Sequence, residues 1–147
     1  MKSKKPNVKY VEWRSPEELH EASLHWISEL KFIKDEQHFL DELIEDNTLQ
    51  LISGETFEKS KQVVNDLSKK RKVLEPLLKK IINHYNELTI LVDGVDQPAE
   101  EKEYKEHHRE LLVEVSEYLN EYKEVKRKIF ELIKTIMKQS KQKRLLN

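Results

Sequence analysis

The chain has 147 residues, 37% of them charged and 37% hydrophobic, with two glycines, four prolines, no cysteine and a formal net charge of −1. The missing cysteine excludes disulfide frameworks, thiolate metal centres and cysteine nucleophiles, and two isolated glycines leave no phosphate-cradling loop. Few helix breakers and many charges point to one helix-rich domain with a narrow apolar seam.

The first fourteen residues read as a basic arm, with Tyr10, Val11 and Trp13 able to dock on the helical body of the chain. No apolar run succeeds the basic start, and no segment approaches the roughly 18 consecutive apolar residues of a membrane span, so a cytoplasmic chain with neither a secretory signal nor a membrane helix is expected. Ser15-Pro16-Glu17-Glu18 marks a helix start. Ser15 is the N-cap, Pro16 suits the first turn, and Glu18 can reach back in a capping box. The first helix is expected at about 16–46, ended by Asp46-Asn47-Thr48, with an apolar row through Leu19, Ala22, Trp26, Ile33, Leu40 and Leu43. Glu29 and Glu36 fall inside that row.

Ser53-Gly54 or Thr56 opens a second helix over about 54–92, closed by Asp93-Gly94. Its row runs through Ser60, Val64, Leu67, Arg71, Leu74, Leu78, Ile81, Tyr85, Leu88 and Val92. Pro76 lies inside an unbroken pattern, which predicts a kink near 72–76 and not a break. A third helix is expected at about 97–140, with Tyr104, His108, Leu111, Val115, Tyr118, Tyr122, Val125, Ile129, Leu132 and Ile136 on one face. Alternating spacings of three and four with short connections predict an all-α, antiparallel up-down-up bundle of three long helices with left-handed, coiled-coil-like packing. The domain division is an arm at 1–14, the bundle at 15–141 and a tail at 142–147.

Folding the helices back on one another sets Glu29 opposite Arg71, a candidate buried ion pair completed by Tyr118 or Tyr122. Glu36 falls level with Lys126. These residues are expected to form a structural polar layer that fixes register.

The six histidines raise a metal question. The carboxylate-x-x-His pairs Glu17/His20 and Asp35/His38 both sit on the outward side of the first helix, too far apart to share an ion. The better cluster is His84, His107 and His108, with Glu18 nearby, a donor set that suits zinc or iron. Against it stands the reading of satisfied or solvent-facing histidines, with His107 packing and His108 capping the bundle end beside Tyr85 and Tyr104.

Charge is strongly segregated. Residues 12–47 carry a net −8, 58–82 a net +5, 83–120 a net −7 and 121–147 a net +6. The acidic end of the first helix and the basic end of the third lie side by side in the expected bundle, so the blocks satisfy one another internally. Basic arms at Lys2, Lys4, Lys5 and Lys9 and at Lys138, Lys141, Lys143 and Arg144 leave nucleic acid or another polyanion as a minor partner class. Leu24 and Ile27 on the back of the first helix, with Val73 level on the second, form an expected surface for self-association or a protein partner.

The leading expectation is a non-catalytic interaction or scaffold module, homo-oligomeric through that surface, needing no cofactor. Its rivals are a metal-binding bundle using His84, His107, His108 and Glu18, and a polyanion-binding accessory protein.

Overall fold

The computed structural model describes residues 11, 14–92 and 98–146. The basic N-terminal lysines, Tyr10, Trp13 and the turn expected at Asp93-Gly94 lie outside the described residues, as do the side chains of Leu88 and Val92. The chain forms α1 (Pro16–Asp46), α2 (Thr48–Leu51), a 3-10 turn (Gly54–Thr56), α3 (Phe57–Val92) and α4 (Pro98–Leu146). Three long helices make an all-α bundle in which α3 packs along both α1 and α4, while α1 and α4 touch each other less. The segment expected as a tail is helical as far as Leu146. Pro76 lies within α3, which continues through it.

Local chemistry sets the ends. Ser15 Oγ accepts from the Glu18 backbone N–H at 3.3 Å and donates to the Glu18 carboxylate at 3.3 Å, while Arg14 donates to the same carboxylate at 2.9 Å. Pro16 occupies the first turn, where its missing N–H costs nothing. At the other end Asn47 Nδ2 donates to the Leu43 carbonyl at 2.8 Å. The chain then runs on through α2, which buries Leu51, before turning at Gly54. Gly54 has φ +68°, the left-handed region that a side chain disfavours.

The core is built from three rows with alternating three- and four-residue steps. On α1 they are Leu19, Ser23, Trp26, Leu30, Ile33, Gln37 and Leu40. On α3 they are Ser60, Val63, Leu67, Leu74, Leu77, Ile81 and His84. On α4 the buried row runs from Tyr104 to Ile136 and also takes in Leu112 and Ile133. Val11 is buried in the same core.

Two expectations are corrected by these rows. Leu30 and Gln37 hold the seam of α1 where Glu29 and Glu36 were expected, and Arg71 is an edge residue. Lys70 occupies the α3 seam position instead, with its side chain largely buried and its ammonium on Glu121. Glu29 and Arg71 do not meet. Glu29 pairs with His25 one turn back at 2.8 Å, and Arg71 pairs with Asp41. The physical reason is α2: it lengthens the connection past Asp46, so α3 comes back at a later register, as the Lys34–Glu75 pair at 2.6 Å also shows. Ile27, placed on an outer surface from sequence, is only 7% exposed and belongs to the core. Leu24 and Val73 are exposed, but without Ile27 they no longer form the expected patch.

Candidate metal centre between the second and third long helices

His84 and His108 are seam residues: each follows the apolar step of its helix inward, and both rings are fully buried. His107 lies on the flank of α4 that faces α3, seven and fourteen residues before Glu114 and Glu121. Those two glutamates pair with Lys80 and Lys70 of α3. Glu87 comes three residues after His84 and therefore rises from the same face of α3 one turn later.

The helices bring three donor atoms together. His84 Nδ1 lies 3.2 Å from His107 Nδ1 and 3.6 Å from Glu87 Oε2. Glu87 Oε2 is 3.4 Å from His107 Nδ1. Among the described residues this is a group of His, Glu and His donors with all three atoms close enough to share one ion. A tetrahedral ion at about 2.0–2.1 Å from each ligand needs its ligand atoms about 3.3–3.4 Å apart, which these edges bracket.

Behind the triangle lies a second ring contact. His84 Nε2 is 3.0 Å from His108 Nδ1. His84 stacks on Tyr104 at 4.3 Å, His108 stacks on Trp26 at 4.6 Å, and His20 stacks on Tyr85 at 3.9 Å. His20, expected on the outward side of α1, is thus drawn against α3. Burial, reinforced by the neighbouring histidines, pushes the His84 imidazole down to about 3. Burial likewise pushes His108 down to about 4. Both rings are neutral near pH 7 and offer lone pairs. His108 Nε2 is buried with no hydrogen-bond partner.

Of the four residues expected at this site, His84, His107 and His108 come together and Glu18 does not. Its carboxylate is engaged by Ser15 and Arg14 at the α1 N-terminus. The carboxylate at the cluster is Glu87, and the His84-x-x-Glu87 spacing is the sequence signal for it.

Halfway along the bundle the polar seam residues form a different arrangement. Gln37 Nε2 donates to Tyr118 Oη at 3.2 Å, and that hydroxyl donates to the Lys70 carbonyl at 3.2 Å. Tyr122 Oη donates to Glu36 at 2.8 Å, and Lys126 lies 3.2 Å from the same carboxylate. Burial pushes the Tyr118 phenol up to about 12, and burial with the Glu36 contact raises Tyr122 further. Neither phenol ionises near neutrality, and each polar group here has a partner. Glu36, Lys126 and Tyr122 therefore share one layer, whereas Glu29 and Arg71 stand outside it.

No family model, curated protein or solved structure matches the chain.

Proposed function

We propose that the protein is a helical bundle that binds one divalent transition metal of the zinc class through His84, Glu87 and His107. The single observation that supports this most is the triangle of lone-pair atoms with edges of 3.2, 3.4 and 3.6 Å. Two nitrogens and one carboxylate oxygen suit zinc. His107 and Glu87 are partly exposed, so a fourth position faces water and can take a solvent molecule or an incoming ligand.

In this reading His108 works through His84. With the His84 Nδ1 lone pair on the ion, its proton sits on Nε2 and is donated to His108 Nδ1. That contact fixes the tautomer and the ring plane, the usual task of a residue behind a metal ligand. The stacking of His84 on Tyr104 and of His108 on Trp26 holds both rings in place.

The test is calorimetric titration of untagged, metal-stripped protein with Zn²⁺, alongside Co²⁺ absorption spectra. One equivalent is expected to bind, and Co²⁺ should give the intense visible bands of a tetrahedral site. His107→Ala and Glu87→Ala, both at partly exposed positions, should abolish stoichiometric binding with helicity unchanged. His108→Phe should weaken binding about 10–100-fold, and Glu18→Gln should leave it intact. Absence of stoichiometric Zn²⁺ binding, or its survival in both His107→Ala and Glu87→Ala, would overturn the proposal.

A further inference from the structure

The side of the bundle where α1 and α4 run in the same direction is open, and a groove of about 590 Å³ lies along it, lined by Phe32, Ile33, Glu36, Leu119, Tyr122 and Lys126 among others. Phe32 lines the groove and Phe39 follows it by seven residues on α1; Lys123 lines it on α4, and Phe130 and Met137 follow at seven and fourteen, so each helix carries an apolar row continuing from the groove. Phe32, Phe39, Phe130 and Met137 are 65%, 53%, 44% and 63% exposed. Large apolar side chains aligned along one face, beside a groove to which Phe32, Ile33, Leu119 and Tyr122 contribute, mark an interaction surface.

Charge identifies the occupant. One further step outward from the apolar rows, the α1 rim carries Asp35 and Glu42 and the α4 rim carries Arg127 and Lys134. Arg127 also pairs with Glu124 and Glu131 of its own helix. The Glu36–Lys126 and Glu36–Tyr122 contacts set the level of the two helices. At that register Glu42 lies between the levels of Arg127 and Lys134. An acidic rim and a basic rim at one height, on either side of an apolar strip, complement a copy of themselves.

We propose that this face receives a second copy of the chain, related by a two-fold axis parallel to the helices. That axis sets α1 of each copy against α4 of the other, in the same direction and at the same level. The four phenylalanine and methionine rows then close over the groove between matched rims. A two-fold axis across the helices would instead set acidic α1 against acidic α1. The isologous geometry makes every rim contact occur twice. The surface shares no residue with the metal triangle, so the two proposals stand or fall separately.

The test is sedimentation equilibrium of the full chain and of two charge-reversal variants, Glu42→Lys and Lys134→Glu. The wild type is expected at twice the 17.7 kDa chain mass. Each variant places like charges opposite one another twice per dimer and should raise the dissociation constant by at least about tenfold. Mixed in equal amounts, the two variants should recover the wild-type dimer, because each mutated rim then meets its opposite. Phe39→Glu should yield a monomer that the mixture does not rescue. A monomeric wild type, a dimer indifferent to both reversals, or failure of the mixture to reassociate would each overturn the proposal.

Discussion

The bundle carries polar side chains on its seam in two places, and the two are handled in opposite ways. In the middle, two short sets are each satisfied: Gln37 with Tyr118 and the Lys70 carbonyl, and Tyr122 and Lys126 with Glu36. Towards the far end of α3, His84, His107 and His108 have mainly one another: His84 Nδ1 meets His107 Nδ1 and Glu87 Oε2, and His84 Nε2 meets His108 Nδ1. Satisfied polar groups of this kind specify register, and their partnered atoms are engaged. On the proposed reading a cluster of imidazole nitrogens and one carboxylate keeps the capacity to take a ligand. Burial alone therefore does not separate the two places; the proposed difference is whether the hydrogen-bond valences are used up.

This contrast is best broken by variants that strike one place and spare the other. The largest effect is expected from Tyr118→Ala, which opens a cavity and strands Gln37. Denaturant unfolding should show a loss of about 3–5 kcal/mol, with stoichiometric zinc binding retained by the fraction that folds. If zinc binding disappears in the folded fraction, the two places are coupled and the contrast is wrong. A smaller loss is expected from Tyr122→Phe, which removes only the donor to Glu36: about 1.5–3 kcal/mol for a hydrogen bond to a charged group, less whatever Lys126 recovers.

The smallest effect comes from mild acid. His84 and His108 are held below the ordinary histidine value of 6.5, at about 3 and about 4. The unfolded chain thus takes up protons at these positions before the folded one does, and stability present above pH 6.5 declines as pH falls towards 4. Thermal melts of the metal-free protein at pH 7 and pH 6 should differ by a few degrees, and the difference should shrink in the double variant His84→Leu, His108→Leu. An undiminished slope there would assign the acid sensitivity elsewhere.

Much of the architecture is readable from the chain, and the corrections have a shared cause. The α4 row is legible because charged residues border it closely on both sides, leaving one register for the seam. On α1 and α3 the seam can slide by one residue. Glu29 adjoins Leu30, Glu36 adjoins Gln37, Val63 adjoins Val64, and Lys70 adjoins Arg71. Adjacent rows differ by little in angle, and both lie near the buried arc. The choice between them is made by which neighbouring helix each faces, and that depends on the length of the first connection. The short helix α2 inside that connection moves the register and with it the partner of Arg71. At the histidine cluster the level of α3 against α4 is legible because a short connection joins them. Level alone points to Glu18 as the carboxylate, but its capping position commits it to Ser15, and Glu87 stands in its place.

All three donor atoms of the proposed metal triangle come from α3 and α4, while α1 packs its Trp26 ring on His108 and its His20 ring on Tyr85. An ion held there would clasp a helical hairpin whose two arms are neighbours in sequence, so α1 could peel away without releasing it. Hydrogen exchange under native conditions would then divide the molecule: metal would slow the amides around His84 and His107 far more than those of α1. The chain would behave as a pinned hairpin with a detachable third rod, and not as a single cooperative cylinder.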